Sequence, residues 1–170
     1  MLVLLVGFMG AGKTSVGHAL SDRLGWRFED LDDRIEAREQ RSIQQIFAEA
    51  GETGFRQAET AALSELLAGS QAMPGIVALG GGAFAQRDNT ELIENAGATV
   101  IFLDATAEEL FRRCGQEARV RPLRHGLQEF RELYDRRRPA YLKASHRIDT
   151  QGKSVKQVAR EVACCLGVGK

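Results

Sequence analysis

With 170 residues the chain has the length of one ordinary domain, enough to bury a core without disulfides or a structural metal. Its 44% hydrophobic and 27% charged residues argue against both a disordered chain and a membrane class. A formal net charge of zero argues against a general nucleic-acid surface.

The chain opens with Leu2-Val3-Leu4-Leu5-Val6, an apolar run with no basic segment before it. It stops at Gly7, too short for a signal peptide or a membrane span, and predicts a buried strand. Next comes Gly7-Phe8-Met9-Gly10-Ala11-Gly12-Lys13-Thr14, which satisfies G-x-x-x-x-G-K-[ST] in the required setting between a strand and a helix. Such a loop wraps its backbone N–H groups around phosphates, and the following helix adds its positive end. ATP contacts are therefore expected over Gly10, Ala11, Gly12, Lys13, Thr14 and Ser15. Lys13 reaches the β- and γ-phosphates and the Thr14 hydroxyl serves Mg²⁺. The helix predicted over Lys13 to Leu24 gathers Val16, Ala19, Leu20 and Leu24 on one face.

A second strand, Trp26 to Phe28, runs into Glu29-Asp30-Leu31-Asp32. Phosphoryl transfer needs one carboxylate near the metal's water shell and another within reach of the attacking hydroxyl. Asp30 is assigned to the metal through water and Asp32 to the acceptor, both pointing to one side of the strand. The pattern alone equally suits an acidic helix start in which Asp32 or Asp33 faces the helix dipole. Residues 32 to 60 read as a mostly helical insertion.

Further strands are predicted at Gly75 to Leu79, Thr99 to Leu103 and His146 to Ile148. A last helix over Val155 to Leu166 aligns Val155, Val158, Val162 and Leu166. Alternating strands and helices imply an α/β fold with a parallel sheet, whose ligands gather at the carboxyl ends of the strands. Gly80-Gly81-Gly82 falls at such an end, where bare backbone admits a ligand closely. Gly115, Pro122 and Gly126 interrupt a helical pattern and predict a mobile loop over 115–126. Arg outnumbers Lys 18 to 5, and half of the Arg lie between Arg112 and Arg138, which suits small anionic ligands. Cys114, Cys164 and Cys165 fit neither a disulfide framework nor metal spacing and are expected to be reduced. One domain over residues 1–170 is expected, since no repeat or long linker divides it.

Taken in order, several motifs resemble the shikimate kinases of aromatic amino-acid biosynthesis. They are Gly7 to Thr14, Asp30-Leu31-Asp32, Ile46-Phe47, Gly51-Glu52-Thr53-Gly54-Phe55-Arg56 with Glu59, Leu79 to Ala83, Arg121-Pro122-Leu123, and Arg137-Arg138-Pro139-Ala140-Tyr141. The resemblance implies a three-layer α/β/α P-loop kinase fold like that of the nucleoside monophosphate kinases. It has a five-stranded parallel sheet, an acceptor-binding insertion and a closing lid. It also implies that the 3-hydroxyl of shikimate attacks the γ-phosphate of MgATP. By matching position, Asp32 holds that hydroxyl, Arg56 and Arg137 grip the carboxylate, and Gly80, Gly81 and Gly82 support the ring hydroxyls. Phe47 and Phe55 wall the pocket, Glu59 orients Arg56, and Arg121 arrives from the lid at the γ-phosphate.

Arg119 and Arg124 compete with Arg121, and the run Arg136-Arg137-Arg138 ties the carboxylate register to Pro139 and Tyr141. The segment Thr150 to Lys153 matches the family poorly, so only Thr150 is assigned to the nucleotide. A gluconate or other small-metabolite kinase, and an ATP-binding regulatory module, are the alternatives. The expected setting is a cytoplasmic monomer with Mg²⁺, ATP and shikimate as its ligands and no nucleic-acid or membrane partner.

Overall fold

The computed structural model describes residues 1–69, 73–116 and 126–168. The strands β1 (Leu2–Val6), β2 (Arg27–Asp30), β3 (Gly75–Ala78), β4 (Thr99–Asp104) and β5 (His146–Asp149) form one parallel sheet in the order β2-β3-β1-β4-β5. Central β1 pairs Leu4 with Val77 on one side and with Val100 on the other. Val3, Leu4, Leu5 and Val6 are all buried. Successive strand residues face opposite ways, so burial of all four means that both faces of the sheet are covered. The two edge strands are polar instead, with Arg27, Glu29 and Asp30 in β2 and His146, Arg147 and Asp149 in β5. Charged edges discourage pairing with a second sheet.

The helices are α1 (Lys13–Leu24), α2 (Leu31–Glu39), α3 (Ile43–Gly69), α4 (Arg87–Asn95), α5 (Ala107–Gln116), α6 (Leu127–Tyr141) and α7 (Val155–Cys165). On α1, Val16 and Leu20 are buried, with Ala19 and Leu24 packed beside them as the periodicity predicts. On α7, Val158 and Val162 are buried, but Val155 is 41% exposed. The reason is its place in the first turn, just after Ser154, whose side chain caps the helix in a reciprocal box with Gln157.

The insertion after β2 begins one residue earlier than 32 and runs beyond 60. Asp30 caps α2 by accepting a hydrogen bond from the N–H of Asp32, so Asp32 belongs to a helix turn and not to the strand. The Glu36 carboxylate accepts from the N–H of Ile43 and joins α2 to α3. Helix α3 is broken at Gly51 (φ 66°, ψ −169°), which separates the short turn carrying Phe47 from the long segment carrying Phe55, Arg56 and Glu59. Most of the lid expected at 115–126 lies outside the described residues.

Candidate active site

Because all five strands run the same way, the loops after β1, β2 and β3 emerge at one edge of the sheet. They enclose a cleft of about 390 Å³ lined by Lys13, Thr14, Asp30, Asp32, Gly80 and Gly81 among others. The phosphate loop is anchored from beneath. Phe8 is wholly buried and meets Phe130 and Tyr134 of α6 edge-on, with ring centroids 4.9 and 5.6 Å away. Gly10 lies at φ 77° against α5, where a Cβ would sit 2.7 Å from the Leu110 carbonyl oxygen. Only glycine fits that position. The Lys13 ammonium donates to the carbonyls of Gly7 at 2.9 Å and Phe8 at 3.2 Å, so it braces the loop it belongs to.

Thr14 Oγ1 donates to Asp30 Oδ2 at 2.8 Å, while Asp30 Oδ1 caps α2. The two carboxylates share the cleft through this cap and not through strand alternation, because the strand ends at Asp30. Asp32 lies against the glycine loop: a Cβ on Gly80 would be 2.9 Å from Asp32 Oδ1 and 3.4 Å from Glu59 Oε1. Glu59 is 1% exposed and accepts from Arg56 Nη1 at 2.8 Å. Burial pushes its carboxyl up from the ordinary range, opposed by the Arg56 guanidinium. Arg56 Nε is buried and has no partner among the described residues.

The glycine loop turns its carbonyls inward to the protein. Gly80 O accepts from the N–H of Ala83, Gly82 O from that of Ala85, and Gly81 O from the buried Tyr141 hydroxyl. The N–H groups of Gly80, Gly81 and Gly82 have no partner among the described residues. Burial pushes the Tyr141 phenol up to about 12. Gly82 packs so closely on Arg56 that a Cβ would stand 2.7 Å from Nη2.

Of the three consecutive arginines, Arg138 donates to Asp104 at 2.8 Å and to the Tyr134 hydroxyl at 3.0 Å, and Arg136 is exposed. Arg137 projects beside Gly81, with Nη1 3.4 Å from where a Cβ would stand, and over the Phe8 ring at 5.8 Å. Phe55 is buried and stacks at 4.5 Å on Phe47, which is 40% exposed.

The shikimate kinase family model matches residues 9–166. The chain belongs to the shikimate kinase family. It is 39% identical to the shikimate kinase of Persephonella marina, covering 94% of this chain and 95% of that one. It is 41% identical to that of Symbiobacterium thermophilum, covering 95% and 94%. The solved shikimate kinase of Acinetobacter baumannii in complex with shikimate is 34% identical, with a TM-score of 0.86 over 98% of this chain and 93% of that one.

A second hollow of this family member, about 240 Å³, continues from Gly10, Ala11, Gly12 and Ser15 toward Arg113, Thr150 and Val155. Thr150 is buried, and its side chain is engaged by the protein. Its hydroxyl donates to the Asp104 carbonyl at 3.0 Å and accepts from Arg113 Nη1 at 3.0 Å, while Arg113 Nη2 bonds the Thr150 carbonyl. The side chain that Thr150 orients, Arg113, was missed by sequence reasoning. Its only local signal is Glu109 one turn earlier on α5, which accepts from Arg113 Nε at 2.8 Å. Arg119, Arg121 and Arg124 lie outside the described residues, as does the Arg121-Pro122-Leu123 motif.

Proposed function

We propose that the chain transfers the γ-phosphoryl group of ATP to the 3-hydroxyl of shikimate, giving shikimate 3-phosphate and ADP for aromatic amino-acid synthesis. The observation that carries this reading is the single cleft in which the Lys13–Thr14 cradle faces Asp32 beside the glycine loop.

ATP enters with its phosphates in the loop from Gly10 to Ser15 and its base toward Arg113 and Val155. Lys13 then exchanges the carbonyls of Gly7 and Phe8 for phosphate oxygens. The Thr14 hydroxyl and Asp30 carboxylate, already 2.8 Å apart, form an oxygen donor pair suited to Mg²⁺, with Asp30 acting through water. Bound there, Mg²⁺ supplies charge neutralisation on the phosphates.

The acceptor's carboxylate is held by Arg56 and Arg137, whose planar forks suit two-pronged contact. Among the described residues, Arg56 Nε and the N–H groups of Gly80 to Gly82 have no partner, which suits them to donate to the acceptor's oxygens. Phe47 and Phe55 close the side. Held in this way, the 3-hydroxyl lies against Asp32, which takes its proton as the new O–P bond forms and the γ-phosphorus to β-oxygen bond breaks, releasing ADP. Arg121 is assigned to the γ-phosphate charge and to water exclusion as the lid closes. In this reading the working unit is a cytoplasmic monomer. Among the described residues, no helix is long and apolar enough to cross a membrane.

The decisive experiment is ADP release from MgATP with shikimate, gluconate or nucleoside monophosphates added separately. Stimulation by shikimate alone is expected. Equal stimulation by gluconate, or indifference to shikimate, would overturn the proposal.

A further inference from the structure

Asn89, on the first turn of α4, is fully buried and takes no part in the chemistry above. Its carboxamide spans two elements. Thr60 Oγ1 of α3 donates to Asn89 Oδ1 at 2.8 Å, and Asn89 Nδ2 donates to the Ala83 carbonyl at 3.0 Å. A buried carboxamide costs desolvation that an apolar side chain avoids, so its presence there demands a reason. What it returns is geometry, because directional bonds in a dry interior fix one arrangement.

The two groups it joins are the two halves of the acceptor wall. Thr60 follows Arg56 by four residues, so both project from one face of α3. Ala83 directly follows Gly82, the residue on which the Arg56 guanidinium packs. The neighbouring Thr90 hydroxyl lies near the carbonyls of Phe84 and Gln86, at 3.2 and 3.0 Å, and seats the preceding 3₁₀ turn (Ala83–Ala85) on α4. The nucleotide cradle on β1 and α1 has no share in this bridge.

We infer that Asn89 is a positioning residue for the acceptor: through Thr60 and the Ala83 carbonyl it sets the spacing between Arg56 and the N–H groups of Gly80 to Gly82. It thereby governs affinity for a hydroxylated ring carboxylate that it never touches. The inference rests on the acceptor reading of Arg56 and the glycine loop given above.

The test is steady-state ADP release by full-length Asn89→Leu, Thr60→Val and Thr60→Ser, with KM for shikimate and for ATP measured separately and thermal midpoints recorded alongside. Loss of a buried hydrogen bond predicts a rise in shikimate KM of about tenfold for Asn89→Leu and somewhat less for Thr60→Val. Thr60→Ser keeps the hydroxyl and should restore the wild-type value, and ATP KM should stay within about twofold throughout. Thr60 is only partly buried, so Thr60→Val decides the matter even if Asn89→Leu fails to fold. An unchanged shikimate KM in folded Thr60→Val, or equal rises in both KM values, would overturn the inference. Arg56→Ala separates the two levels: if it raises shikimate KM while Thr60→Val does not, the acceptor reading stands and the positioning role falls.

Discussion

In the proposed reaction, consecutive residues from Gly7 to Ser15 carry the whole phosphate cradle on one side of the cleft, and their working groups are backbone N–H groups, one ammonium and one hydroxyl. On the other side, Asp32, Arg56, Glu59, Gly80 to Gly82 and Arg137 arrive from α2, α3, the loop after β3, and α6. The cradle takes its shape from glycine conformations within one consecutive segment and is seated by Phe8 on α6. The acceptor wall is held by buried polar side chains that bridge elements: Glu59 to Arg56, Asn89 to Ala83, and Tyr141 to Gly81. Working groups that are adjacent in the chain keep their mutual spacing as long as that one segment keeps its backbone shape. A bridged wall can instead loosen by degrees, losing acceptor affinity while the nucleotide side stays intact.

That contrast is broken most severely where the two sides meet at the reacting atoms. Lys13→Met and Asp32→Asn should each lower turnover by at least about a hundredfold, measured as kcat for shikimate-dependent ADP release. Near-normal turnover in either variant would remove that residue from the chemistry. Next come Arg56→Ala and Arg137→Ala, which should weaken shikimate binding by about 2 to 5 kcal/mol in calorimetric titration while ATP affinity holds. Matching losses for both ligands would show that the walls are not independent.

Tyr141 offers a pH-dependent probe of the bridged wall. Folded Tyr141 keeps its proton up to about 12, against 10.0 for an ordinary phenol, so folding stability falls as pH rises through that interval. The loss amounts to roughly 2 to 3 kcal/mol by pH 12, and Tyr141→Phe should lack it in alkaline denaturation. An identical alkaline slope in the variant would contradict the assignment. Gly82→Ala is expected to have the smallest effect, because its added methyl meets the movable end of Arg56 and not backbone. It should raise shikimate KM about fivefold with little change in thermal midpoint, by displacing a positioned guanidinium. A large drop in thermal midpoint would instead mean that the loop itself had been deformed.

The cradle was legible because its code is short and its neighbours are adjacent in the chain. The three central strands were legible from apolar runs, since a strand buried on both faces leaves little room for polar residues, while the polar edge strands β2 and β5 offered only the short runs Trp26 to Phe28 and His146 to Ile148. Asp30 and Asp32 were correctly brought to one cleft, though by strand alternation, when a helix cap does the work. Arg113 was not legible, because what aims it is the carbonyl and hydroxyl of Thr150, far along the chain. Asn89 is wholly buried although its neighbours Arg87, Asp88, Thr90 and Glu91 are polar, so nothing in the local sequence marks it as an interior residue.

By itself, the sequence marked the end of the first strand as the place proposed here for the phosphates of ATP, because glycines, a lysine and a helix start stand together there within a few residues. It also determined the family, through motifs spread along nearly the whole chain and kept in order. The resemblance had assigned Arg137 through its register with Pro139 and Tyr141, but tertiary structure alone decided what sets Arg136, Arg137 and Arg138 apart. Arg138 is drawn away by Asp104 and Tyr134, Arg136 is turned outward, and Arg137 is left beside Gly81. The physical reason is that helical phase and long-range charge partners, not residue type, aim a side chain once several identical ones stand in a row.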